Sequence, residues 1–234
     1  MKYILGMGKS VLVTVAFAVL SCVTAQCETV DSISAMRSQL RSDPLNENLR
    51  VKLAQQYSDS KRYVDAAVIL EEGLRYSPHS FRLNFELCPI YLNLNQPNKA
   101  VMYAKEAARQ NPKSAMAYNN LGVAYGKKQL HTEAISAFEK AIVLDKSNPE
   151  YYFNLGVAYF IKTDYDNAMK YYLKTLELDE KDARAYINIA TIYNIHNRKK
   201  DAIKYLNKAI GILGKDTPEG QRVLEFIDDI NNRI

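Results

Sequence analysis

Tryptophan is absent from the 234-residue chain, and glycine and proline contribute only 9 and 7 residues. So few turn formers exclude collagen-like and Pro/Gly-rich low-complexity chains, and they count against an all-β fold with a turn every ten residues. Cysteine occurs three times, as Cys22, Cys27 and Cys88, with no zinc-type Cys/His spacing, so neither a metal site nor another cofactor is expected. His79, His131 and His196 are read as turn residues of different repeats and share no triad or metal-ligand spacing. The charge balance is thin as well. Lysine and arginine exceed the acids by five, and two of those cations, Lys2 and Lys9, lie in a removable leader, which leaves no basic footprint for nucleic acid. What remains is ordinary for a folded domain, 47% hydrophobic and 24% charged, with one imbalance: 17 tyrosines against 7 phenylalanines.

Residues 1–25 read as an export signal, with Lys2 and Lys9 ahead of the apolar run Val11–Leu20. The uncharged stretch Ser10–Ala25 is shorter than the ~20 residues that span a bilayer. Gly6-Met7-Gly8-Lys9-Ser10 imitates the end of a phosphate-binding loop, but Tyr3 stands where that loop needs glycine. Cleavage reads in two ways. Val23-Thr24-Ala25 gives a mature chain from Gln26, whereas Val19-Leu20-Ser21-Cys22 resembles a relaxed bacterial lipoprotein box with Cys22 lipidated as a membrane tether. The expected location is therefore outside the cytoplasm, in the periplasm or as an outer-membrane lipoprotein, with secretion as the alternative. Cys27 and Cys88 are expected to stay unpaired, the latter inside a helix contact.

The organising signal is a period of 34 residues. Ala66, Ala100, Ala134, Ala168 and Ala202 keep that spacing, as do Tyr57, Tyr91, Tyr125, Tyr159 and Tyr193. The units are 47–80, 81–114, 115–148, 149–182 and 183–216. In the third, Tyr118, Leu121, Gly122 and Tyr125 form one helical face, Lys127 to Thr132 interrupt it, and Ala134, Phe138 and Ala141 begin another. Small residues recur where helix backbones must approach, in the columns Ala54, Cys88, Gly122, Gly156, Ala190 and Gly73, Ala107, Ala141, Thr175, Ala209. Pro78 and Pro112 end second helices. Pro89, in the middle of a first helix, predicts a kink or a tolerated irregularity. Most of the tyrosine excess is thereby a packing motif.

These columns resemble the tetratricopeptide repeat, most closely in Tyr118-Asn119-Asn120-Leu121-Gly122-Val123-Ala124-Tyr125 and Tyr152-Phe153-Asn154-Leu155-Gly156-Val157-Ala158-Tyr159. Arg50 and Asn84 depart from it at the aromatic opening position, and Lys146, Glu180 and Gly214 replace its terminal proline. The resemblance implies an all-α fold, a right-handed α-solenoid of helix-turn-helix repeats with capping helices. Residues 26–46, with Ile33, Met36 and Leu40, read as an N-terminal half-repeat helix. Residues 217–234, with Thr217-Pro218 at the start and Val223, Leu224, Ile227, Ile230 and Ile234 on one face, read as the C-terminal cap.

The resemblance also implies a concave groove lined by first helices. Asn120, Asn154 and Asn188 share its sixth column, and an amide ladder there can hold peptide backbone through donor and acceptor alike. Phe85, Phe153, Val157, Phe160, Ile161, Ile187 and Ile195 project beside it and predict an apolar site centred on the fourth and fifth units. Part of that set is equally placed to pack beneath the C-terminal helix. The charged clamp of some relatives is missing, because Val51, Phe85 and Asn119 occupy its lysine positions. No convergent polar cluster indicates catalysis, and no small-molecule substrate is expected. The sequence predicts a non-enzymatic scaffold of the cell envelope that binds a protein or peptide, or else a lipid-anchored, pilotin-like assembly factor for a secretion or pilus complex.

Overall fold

The computed structural model describes residues 32–232, so the export signal, Cys22 and Cys27 lie outside the described residues. All regular structure among them is helical: α1 (residues 32–42), α2 (Glu47–Asp59), α3 (Tyr63–Tyr76), α4 (Phe81–Asn93), α5 (Pro97–Gln110), α6 (Ala115–Lys127), α7 (His131–Leu144), α8 (Pro149–Ile161), α9 (Tyr165–Leu178), α10 (Ala183–Ile195), α11 (Lys199–Leu213) and α12 (Pro218–Asn232). The fold is an all-α helical repeat solenoid. It divides into two compact units, one running to Glu86 and one from Leu87. The division falls within α4, beside the peptide group that Pro89 affects: a proline there has no N–H for the Phe85 carbonyl one turn earlier.

Each α-hairpin is closed by the same chemistry. Residues 61, 95, 129, 163 and 197 all have left-handed backbone, φ between 54° and 63°. The amide of the residue after each donates to the carbonyl of the column tyrosine five positions earlier, for example Leu130 N to Tyr125 O at 2.9 Å and Asp164 N to Tyr159 O at 3.0 Å. That is the Schellman closure of a helix C-terminus. Four of these tyrosine rings take a cation above them, for example Arg62 over Tyr57 at 4.7 Å and Arg198 over Tyr193 at 4.6 Å, while Tyr159 stacks on Tyr171 at 5.5 Å. First helices start as regularly. Asn46, Ser80, Ser114, Asn148 and Asp182 each accept a backbone N–H from the first turn that follows, which relieves one of that turn's orphan donors.

In the first unit Leu53, Ala54, Tyr57, Ala66, Leu70 and Leu83 are buried, with Met36 and Leu40 of α1. Arg50 and Asn84, at the position where an aromatic side chain is usual, are buried too. Asn84 satisfies its amide on Ser80 O at 2.8 Å. In the second unit the small-residue column seats rings: a Cβ on Gly122 would lie 2.5 Å from Phe138, and one on Gly156 2.7 Å from Tyr172. At its end Val223, Ile227 and Ile230 of α12 are buried with Ala190, Ala202, Leu206 and Ile210, and Thr217 Oγ1 caps α12 through the Gly220 N–H at 3.0 Å.

Cys88 is fully buried and unpaired, its thiol directed at the Asn120 carbonyl at 3.6 Å. Burial pushes its pKa from the ordinary 9.0 up to about 12. The neutral thiol therefore adds stability that is complete below pH 9 and is lost as the pH rises toward 12; burial raises Tyr159, Tyr171 and Tyr205 in the same direction. Iodoacetamide at pH 8, followed by peptide mapping, is expected to leave Cys88 unmodified in the folded chain and to label it in urea. Rapid labelling of the native chain would contradict this packing.

Candidate functional site

A groove of about 420 Å³ opens in the second unit where α6 and α8 run beside the end of α4. Val123, Val157 and Ile161 form its apolar wall, and Phe138 reaches it from α7. Ile161 is 51% exposed, a large aliphatic surface left in water. Gly122 and Gly126, one turn apart on α6, lower the wall between them. Asn154, Lys127 and His131 supply polar groups at the edge. His131 is the first residue of α7, not a turn residue as its spacing suggested, and its Nδ1 is buried without a hydrogen-bond partner.

The structure distributes the sequence-predicted residues differently from one continuous ladder. Asn154, Val157 and Ile161 meet in the groove. Asn154 donates to Asn119 Oδ1 at 2.9 Å, and its own carbonyl has no hydrogen-bond partner among the described residues. Asn188 is engaged with the Tyr172 hydroxyl, which partly offsets the upward shift that burial imposes on that tyrosine. Asn120 is half-buried on α6 and makes no side-chain hydrogen bond among the described residues. Phe153 is covered by the Arg184 guanidinium, 4.2 Å above its ring, while Arg184 itself is held by Glu150 and Asp182, both at 2.7 Å. Phe160 packs edge-on against Tyr165 at 5.5 Å. Ile187 packs on the cluster formed with α12, and Ile195 is exposed at the end of α10. Phe85 belongs to the first unit, its ring 5.6 Å from Phe81. Gly122 stands in a periodic column, but the groove role of Gly126, Lys127 and His131 is not marked by periodicity, because it depends on the gap between two helices.

Among the described residues no group of His, Cys, Asp and Glu side chains is arranged to hold a metal ion, and no helix is long and apolar enough to cross a membrane. Family models described as tetratricopeptide repeats match residues 57–121, 114–144, 149–182 and 183–212, and one described as TPR repeat matches 131–162. The chain belongs to the tetratricopeptide-repeat family. No curated protein sequence matches it. Among solved structures, this tetratricopeptide chain is similar to MamA, at 26% identity and a TM-score of 0.62, over 68% of the chain and 93% of MamA. YrrB, described as a TPR protein with an unusual peptide-binding site, has 18% identity and a TM-score of 0.62 over 83% and 98% of the two chains. PilF of Pseudomonas aeruginosa has 19% identity and a TM-score of 0.65 over 79% and 85%. The last two share the fold. Such repeats are protein-interaction scaffolds and typically non-catalytic, and this chain is a scaffold of that kind.

Proposed function

We propose that the groove between α6 and α8 binds a peptide or helix of a partner protein in the cell envelope. The observation that carries this reading is the conjunction in one cavity of exposed Ile161 and half-buried Val157 with two polar groups that have no partner among the described residues, the Asn154 carbonyl and His131 Nδ1. An apolar anchor side chain fits the first pair, and a backbone amide or carbonyl fits the second. The peptide-binding site described for YrrB supports the same mode on a related fold.

Ile161→Asp, which places a carboxylate on the apolar wall at a side chain that is 51% exposed, is expected to weaken partner retention about tenfold or more. Quantitative pull-down from envelope extracts with wild type and this variant is the measurement, and an unchanged partner set would remove the groove from the mechanism. The pilotin-like reading rests on Cys22, directly after the apolar run of the leader. Under it, Cys22→Ala abolishes membrane fractionation and complex assembly together; a chain that leaves the membrane fraction but retains both partner and assembly favours the soluble scaffold.

A further inference from the structure

The first unit has a cavity of its own, about 530 Å³, bounded by α1 and α3 and floored by Arg50 of α2. Four guanidinium groups line it, those of Arg37, Arg41, Arg50 and Arg75, against one carboxylate, Glu72. Arg50 is committed inward: it donates to Pro44 O and Ile69 O and lies 3.7 Å from Glu72. Arg37, Arg41 and Arg75 are exposed, and among the described residues no carboxylate pairs with any of them. Arg37 and Arg41 stand one turn apart on α1, where like charges repel. Two helix ends contribute about half a negative charge each, which still leaves the bowl with an excess of about two positive charges.

We propose that this cavity is a binding site for a phosphate ester. Guanidinium groups pair with phosphate oxygens through two parallel N–H donors, and a phosphate monoester carries nearly two charges, which matches the excess where a single carboxylate does not. The cavity lies within the ~300–1,000 Å³ of small-ligand sites and has room for an organic group. Tyr76, 53% exposed, and Pro44 give that group an apolar wall. The ester arrives either as a soluble metabolite or as a lipid headgroup. The site is separate from the peptide groove and does not depend on it.

The test uses the full chain with two probes: sn-glycerol 3-phosphate by calorimetric titration, and vesicles of phosphatidic acid, a lipid whose headgroup is a phosphate monoester, in phosphatidylcholine by flotation, with pure phosphatidylcholine as the blank. The variant Arg37→Ala/Arg41→Ala/Arg75→Ala is compared with Lys113→Ala/Lys128→Ala/Lys204→Ala, which removes the same charge from exposed positions elsewhere. The expected result is saturable binding of at least one probe, weakened about tenfold or more by the arginine variant and less than about twofold by the lysine variant. Binding of glycerol 3-phosphate assigns the soluble source; binding of vesicles alone assigns the headgroup. Binding of neither probe, equal losses in both variants, or capture of a tetraglutamate peptide in preference to both phosphates overturns the proposal.

Discussion

Arg50→Ala is expected to destabilise the first unit by about 3–5 kcal/mol, as large an effect as a single side chain of that unit should have. An aromatic ring at this position would fill the space between helices by volume alone. Arg50 fills it with its aliphatic stem and spends its fork on backbone: Nε and Nη2 donate to Pro44 O at 3.2 and 3.0 Å, and Nη1 to Ile69 O at 3.1 Å. Gly73 makes the space, since a Cβ there would lie 2.8 Å from Arg50 Cδ. Alanine takes the guanidinium from the Pro44 carbonyl and the second donor from the Ile69 carbonyl, which keeps its own helical N–H partner inside α3, and it opens a cavity where the stem packed, which carries most of the loss. Arg50→Lys keeps the charge but has no fork to span two acceptors, so about half the loss is expected. Urea unfolding followed by circular dichroism decides it; a change below about 0.5 kcal/mol, the level of an ordinary surface substitution, would show that the guanidinium is a passenger.

Tyr172→Ala is expected to cost the second unit about 3–5 kcal/mol, and Tyr172→Phe about 1 kcal/mol. The ring is 1% exposed, occupies the notch left by Gly156 and tilts against Phe153 at 5.8 Å between centroids. Removing it takes away the surface on which α8 sits over α9, so the wall that presents Val157 and Ile161 loosens with it. Phenylalanine keeps the ring and releases only Asn188. Thermal unfolding of both variants separates the two contributions. Equal losses would mean that the hydroxyl, and not the ring, holds the hairpin together.

The 34-residue period exposed the hairpins because the packing that makes them is itself periodic: Tyr125 and Tyr159 recur wherever a first helix ends, and Gly122 and Gly156 wherever a ring must sit close to backbone. The capping column of Asn46, Ser80, Ser114, Asn148 and Asp182 carries the same period and is readable by the same rule. Site residues were less legible, for a physical reason. Facing a groove is a property of a column, whereas being free to bind is decided by neighbours that differ from unit to unit. Asn154 and Asn188 occupy one column, yet one amide meets Asn119 and the other Tyr172. Phe153 and Ile161 are both apolar and both on α8, but Arg184 covers the first and nothing among the described residues covers the second. Arg50 was visible only as a departure from the repeat, because its acceptors come from Pro44 and Ile69, outside any periodic pattern.

The left-handed turn residues bear on the order in which the chain folds. Lys61, Asn95, Gln129, Thr163 and Asn197 hold a conformation that glycine adopts freely and that costs other residues about 1–2 kcal/mol; for Thr163, branched at Cβ, the penalty is steepest. A hairpin with such a turn gains little by closing alone, and an isolated helix pair of this length is marginal in water. Closure becomes favourable when an adjacent hairpin is already in place to bury the newly joined helices. Assembly therefore spreads from a formed pair to its neighbours, and a single excised repeat remains largely unfolded.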